Sequence, residues 1–148
     1  MDISEFVDKI STLLPILMKE FIKHQPEEIA KGKLGLPQVL VLQHLVDKDA
    51  LKMVEIARFL KVSTPAATGI VERLVKAGYA ERLFDKDDRR IIRVKVTSKG
   101  KTLLEKINQE RRKIMLKIFS KVSEKDRKDY LRVLLKIKEI LTSAEIKS

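Results

Sequence analysis

A chain of 148 residues, 44% of them hydrophobic, can bury the core of one domain or of a compact body with one projecting lobe. The absence of cysteine excludes disulfides, thiolate catalysis and Cys-based zinc sites, the two histidines (His24 and His44) are too scattered for a metal cluster, and no apolar run reaches the roughly 18 residues of a membrane span. The net charge of +11 is uneven: residues 1–50 carry 6 Lys and Arg against 8 Asp and Glu (−2), residues 51–101 carry 13 against 6 (+7), and residues 102–148 carry 13 against 7 (+6), which points to a polyanion bound on one side of the molecule.

The start, MDISEFVDK, has neither the basic residues nor the small-residue cleavage site of a signal peptide, so a soluble, cytoplasmic protein is expected. From Ile3, apolar residues recur at Phe6, Val7, Ile10, Leu13, Leu14, Leu17 and Phe21, the spacing of one broad helix face. Pro15 removes a backbone donor inside that run, and a kink or a break into two helices is expected there. "HQPEEIAKGKLG" reads as a connection. Leu36, Pro37 and Gln38 open a short helix through Val46, with proline in the first turn, and "VDKDA" closes it.

"MVEIARFL", Met53 to Leu60, is a third helix, with Val54, Ala57 and Leu60 expected inward. After the turn "KVST", Thr64 is the expected N-cap and Pro65 a first-turn proline of a helix that runs to Ala77 and stops at Gly78. Two helices joined by so tight a turn form a helix-turn-helix. On the second of them, Ala67, Ile70, Val71 and Leu74 point inward at 100° per residue, and Pro65, Thr68, Gly69, Glu72, Arg73 and Lys76 point outward. Small residues at its N-terminal turn permit close approach to another surface, and the free N–H groups there attract phosphate.

Past Gly78 the period changes from helical to alternating. "YAERLF" and "IIRVKV" read as two strands, and the charged "DKDDRR" between them, residues 85–90, is the tip of a β-hairpin. A hairpin directly after a helix-turn-helix is a wing. In the last third, Leu103, Leu104 and Ile107 are followed, after the polar "NQERRK", by Ile114, Met115, Ile118, Phe119 and Val122, the pattern of a helix bridging two packed regions through solvent. Ser123 and Asp126 resemble a capping box ahead of a broad apolar face from Tyr130 to Leu141. Together with the N-terminal helix this is more apolar surface than one small protomer can cover, and a homodimer is expected.

Taken in order, "LPQVLVLQHL", the helix-turn-helix, the G-x-x-x-R join from Gly78 to Arg82, the Asp88-Arg89-Arg90 wing tip and the T-x-x-G from Thr97 to Gly100 resemble the MarR family of winged-helix transcriptional regulators over nearly the whole chain. The resemblance implies a mainly α fold with a small β-hairpin: a winged helix-turn-helix lobe at 37–98, flanked by N-terminal (1–36) and C-terminal (99–148) dimerisation helices. It also implies that Arg90 is the residue that enters the minor groove and Asp88 its orienting partner, that the terminal helices form a homodimer, and that a small anionic or phenolic effector binds between the dimer helices and the winged lobe. The expected function is a sequence-specific regulator of transcription, a repressor, that binds a pseudo-palindrome in double-stranded DNA and is released by that effector. No ligand-contacting residue can be assigned from the sequence.

Side-chain chemistry distributes the DNA contacts. Thr68 and Arg73 are the base-edge candidates, since Arg pairs two hydrogen bonds with guanine and the Thr methyl touches thymine. Pro65 offers apolar contact, while Ser63, Thr64 and Lys76 on the helix and Lys86 and Arg89 on the wing hold phosphates. Gly69 departs from the family pattern: it lies mid-helix on the outward face, at a cost of about 1 kcal/mol relative to alanine. No nucleophile–base pair, Gly-rich phosphate loop or metal cluster is visible, so neither an enzyme nor a cofactor is expected. The competing reading is a winged-helix architectural or RNA-binding protein with little sequence preference, or a winged helix that binds protein.

Overall fold

Asp2 is enough to start the first helix: its backbone is extended (φ −78°, ψ 173°) and its carboxylate accepts from the Glu5 N–H at 2.8 Å, supplying one of the missing bonds of the first turn. The computed structural model describes residues 1–143, which form seven helices and a small three-stranded antiparallel sheet. The first helix, α1 (Ile3–Lys23), runs through Pro15 as one element, so of the expected kink or break the break does not occur. The proline leaves the Ser11 carbonyl without its helical donor, but Ser11 is exposed, so water can take that bond. No residue of α1 is buried.

The segment read as a connection contains one helical turn, α2 (Glu27–Ala30), entered through Pro26. A loop follows in which Gly32 adopts φ +73°. Helix α3 (Leu36–Lys48) begins where the buried Gln38 side chain accepts from the Gly35 N–H at 2.9 Å. Strand β1 (Leu51–Lys52) was not expected, because two residues are too few to show an alternation.

Helix α4 (Met53–Leu60) has the expected bounds and a different rotation. Val54 is half exposed, whereas Ile56 and Ala57 are buried and Met53 and Leu60 pack partly against the core. The inward stripe is thus 53, 56, 57 and 60, set by β1 pairing just ahead of the helix and by Glu55, which accepts from the Lys52 N–H at 3.1 Å. Lys61 closes α4 in the left-handed region (φ 56°, ψ 44°). Helix α5 (Thr64–Lys76) is then capped by Ser63, one residue earlier than expected: the Ser63 hydroxyl accepts from the Ala66 N–H at 3.2 Å. The shift puts Thr64 in the first turn and keeps Pro65 where its missing N–H costs nothing.

Strands β2 (Ala80–Phe84) and β3 (Ile92–Val96) pair in antiparallel register with Ala80 opposite Val96, Arg82 opposite Val94 and Phe84 opposite Ile92, and β1 pairs with the other edge of β3. The core lies where this sheet meets α3, α4, α5 and the start of α6 (Ser98–Phe119), around Leu42, Leu45, Ile56, Val71, Leu74, Val94 and Ile107. Of the expected inward positions of α5, Ala67, Val71 and Leu74 are buried and Ile70 packs against them partly buried.

The T-x-x-G segment ties the end of β3 back to the end of α5. The Thr97 hydroxyl donates to the Gly78 carbonyl at 2.6 Å and accepts from the Gly100 N–H at 3.1 Å, while the Thr97 N–H donates to the Tyr79 carbonyl at 3.0 Å. Lys99 donates to the Ala77 carbonyl at 2.7 Å, at the C-terminus of α5 where a cation is favourable. Gly78 itself sits at φ +80°.

Residues 1–111 form one compact unit, and a second begins at Arg112. In the second, α7 (Glu124–Thr142) is capped by Ser123, whose hydroxyl accepts from the Asp126 N–H at 3.1 Å, and Tyr130 stacks on Phe119 with ring centres 5.6 Å apart. No described residue of α7 is buried.

A methyl group at Gly100 would lie 2.1 Å from the Tyr79 carbonyl oxygen. Gly100→Ala is expected to lower unfolding stability by about 3 kcal/mol, the upper range for overpacking, in chemical denaturation. An unchanged denaturation midpoint would show that this approach is not a constraint.

Candidate nucleic-acid interface

The outward face of α5 is exposed at Ser63, Thr64, Pro65, Thr68, Gly69, Arg73 and Lys76. The Thr68 hydroxyl donates back to the Thr64 carbonyl at 2.9 Å, so what this side chain has left for a partner is its methyl group and the acceptor lone pairs of its oxygen. A Cβ built on Gly69 meets nothing within 4 Å, which makes the glycine a gap in the outer surface and not a packing requirement. Arg73 is engaged away from this face: its guanidinium donates to the carbonyls of Lys33 at 2.9 Å and Gly32 at 3.3 Å, in the loop between α2 and α3.

The wing tip is organised by two carboxylates. Asp88 takes Arg90 in a two-point fork, with Nε to Oδ1 at 3.0 Å and Nη2 to Oδ2 at 2.9 Å, and also accepts from the Arg90 N–H at 3.0 Å. The Arg90 side chain nevertheless remains 90% exposed. The bonds from Arg90 hold the Asp88 carboxyl below its ordinary range, and the same pairing raises the Arg90 pKa. Lys86 and Arg89 stand exposed on the same tip.

Asp85, which the sequence reading passed over, holds the tip to the strand. It accepts from Arg93 Nε at 2.7 Å and from the N–H groups of Asp87 (3.1 Å) and Asp88 (3.3 Å). The Arg93 bond, followed by those backbone bonds, lowers its pKa. Arg93 lies opposite Leu83, two residues before Asp85, so the pair is a cross-strand diagonal, legible once the hairpin register is known. A further unanticipated pair, Glu72 with Arg82, joins α5 to β2, and Arg82 lowers the Glu72 pKa.

Beneath α5 the same unit holds a cavity of about 530 Å³. Met18, Phe21 and Ile22 of α1 form one wall, and Ile29, Leu34 and Val39 another. Its polar members are Gln25, Arg73 and Arg111. Neither histidine lines it, and His44 stacks flat on Phe59 with ring centres 3.9 Å apart.

A helix-turn-helix followed by a two-stranded wing with arginines at its tip, on a basic lobe, defines a winged-helix DNA-binding protein. Comparison with known proteins agrees. Residues 34–92 match the model of the MarR family. The chain is 30% identical over 110 residues to YpoP of Bacillus subtilis (strain 168), an uncharacterized HTH-type transcriptional regulator, covering 74% of this chain and 77% of that one. Among solved structures it is similar to YusO of Bacillus subtilis (TM-score 0.75, 24% identity, 94% of this chain and 99% of that chain). It is also similar to a MepR-like protein complexed with pseudoligands (TM-score 0.59, 30% identity, 91% and 95%). The chain belongs to the MarR family of DNA-binding transcriptional regulators and is not an enzyme.

Two expectations concern this surface. Because the folded pKa of Asp85 is depressed, its contribution to wing order is fully present above the ordinary carboxylate value of about 4 and is lost as pH falls below that through the folded value. Amide exchange at Asp87 and Asp88 should therefore accelerate on acidification beyond intrinsic rates, and Asp85→Asn should remove that pH step. Gly69→Ala should stabilise the fold by up to about 1 kcal/mol and weaken DNA binding if close backbone approach is what the glycine supplies. Melting and DNA titration of the same variant read both effects.

Proposed function

We propose that this chain is a homodimeric repressor that binds a pseudo-palindromic DNA site and is released by a small anionic or phenolic effector. The observation that carries the DNA-reading part is the Asp88–Arg90 fork: an arginine pre-aimed at the tip of the wing, exposed and held by a carboxylate. Arg90 reads the narrow minor groove through its negative potential, and Asp88 acts by limiting the side-chain freedom that Arg90 would otherwise lose on binding. Thr68 and Pro65 make apolar contact with base edges, and Ser63, Thr64, Lys76, Lys86 and Arg89 hold phosphates. Repression requires only that occupancy exclude other proteins from the site.

The division of labour is a winged lobe at 37–98 and dimerisation segments at 1–36 and 99–148. The homodimer is supported by what each terminal helix leaves uncovered: Phe6, Leu14 and Ile16 of α1, and Leu131, Leu135 and Leu141 of α7, are each half exposed or more. The cavity, apolar with two arginines, supports an effector that carries a negative charge on an apolar body. Occupancy of the MepR-like relative by pseudoligands is in keeping with that reading.

Selection from random duplexes should yield an inverted repeat with half-site centres about 10 base pairs apart. Selection of no repeat would favour low-specificity architectural binding. Arg90→Ala should weaken specific binding strongly with little change in melting temperature. Asp88→Ala should also weaken it, although a negative charge has been removed; tighter binding of Asp88→Ala at every salt concentration would reduce the tip to a solvated turn. Placing Glu at both Leu134 and Leu141 should give monomer or unfolded protein in light scattering, and a monomeric wild type at micromolar concentration would refute the dimer.

A further inference from the structure

Arg73 belongs to two structures at once. It is a residue of α5, the helix presented to DNA, and its guanidinium lines the cavity beneath that helix. What holds it there is weak for an arginine: two neutral carbonyl oxygens, those of Gly32 and Lys33, in the loop that also borders the cavity. Among the described residues no carboxylate pairs with Arg73 or with Arg111, the other cation of the cavity wall. The Gln25 side-chain oxygen, on the same wall, is buried without a hydrogen-bond partner. Two cations facing an apolar hollow and an unused acceptor describe a ligand: an anionic head, an apolar body, and a hydroxyl or N–H group.

We propose that Arg73 is the latch through which the cavity controls α5: an anion bound in the cavity takes the Arg73 guanidinium from the Gly32 and Lys33 carbonyls and so unties the DNA-reading helix from the loop between α2 and α3. The proposal rests on the effector reading of the cavity and adds the residue and the competition by which the signal reaches α5. An ionic acceptor forms hydrogen bonds to guanidinium about twice as strong as a neutral carbonyl does, so the exchange runs toward the ligand. A two-oxygen head group matches the planar fork of arginine better than a single oxygen. With the latch released, α5 keeps its inner contacts at Ala67, Val71 and Leu74 but loses the tie from its last turn. The exchange takes place inside one protomer and needs no change in the spacing of two lobes. It also assigns Arg73 a role other than base reading.

The test uses the full chain, a duplex obtained by selection, and three probes: 4-hydroxybenzoate, decanoate, and methyl 4-hydroxybenzoate as the uncharged control. In the wild type at least one of the two anions is expected to raise the melting temperature and to weaken DNA binding at least five-fold, and the ester to do neither to that extent. In Arg73→Gln the ratio of dissociation constants with and without the anion should fall below two-fold, whatever the variant's own affinity. Arg73→Lys, which keeps the charge but not the fork, should restore part of the ratio. An undiminished ratio in Arg73→Gln, with anion binding intact, overturns the latch and leaves the effector reading standing. A ten-fold loss of discrimination between selected and scrambled duplex in Arg73→Gln, with the ratio retained, makes Arg73 a base reader and also overturns it. If neither anion shifts the melting temperature or the DNA affinity of the wild type, the effector reading and the latch fall together.

Discussion

The backbone of Gly100 runs against the Tyr79 carbonyl so closely that no side chain fits between them, and most of the DNA-binding lobe depends on that approach. Thr97, three residues earlier, bonds both to Gly78 at the exit of α5 and to Gly100 in the first turn of α6. Three elements are thereby held at one point: the end of the helix presented to DNA, the last strand of the wing, and the helix that carries Leu103, Leu104 and Ile107 into the core. A loosened stitch would leave α5 and the wing each intact, but no longer at a fixed angle to one another. The proposed reading of two grooves at once would require that angle.

The electrostatics of the lobe follow a related economy. A chain of net +11 has little need of further attraction to a polyanion, and its carboxylates near the wing serve geometry instead. Asp88 aims Arg90, Asp85 ties the tip to Arg93, and Glu72 joins α5 to Arg82 on β2. The Asp88–Arg90 and Glu72–Arg82 pairs, open to solvent, are worth little to global stability, while Asp85–Arg93 is the most covered of the three. Their effect lies in limiting the conformations of flexible cations. The price is a lower local positive charge, which the unpaired Lys86 and Arg89 offset.

The terminal helices carry exposed apolar faces, and the cavity lies along α1, between it and residues of α2, α3 and the loop joining them. Dimerisation and ligand binding would thus share a helix, and the ligand would share Arg73 with the DNA-reading helix.

Much of this was legible in one dimension. Helical spacing from Ile3 to Phe21, the Ser63–Thr64–Pro65 start, the change of period after Gly78 and the charged tip at residues 85–90 determine the winged helix-turn-helix by themselves, because capping, periodicity and turn chemistry are local. Asp88 and Arg90 lie two residues apart, which puts their pairing within local reach, but what brings them together is a tight turn, closed by the Ile91 N–H donating to the Asp88 carbonyl at 3.0 Å, and not an extended strand. Tertiary structure alone decided what depends on partners distant in sequence. The rotation of α4 onto Ile56 instead of Val54 follows from β1 pairing with β3, some forty residues away. Arg73 is the clearest case: its sequence neighbours and its outward position on α5 mark it as a base reader, whereas its guanidinium is bonded about forty positions earlier in the chain, to carbonyls that no side-chain pattern reveals. Backbone acceptors are common to every residue type, so only the fold can say which of them an arginine will find.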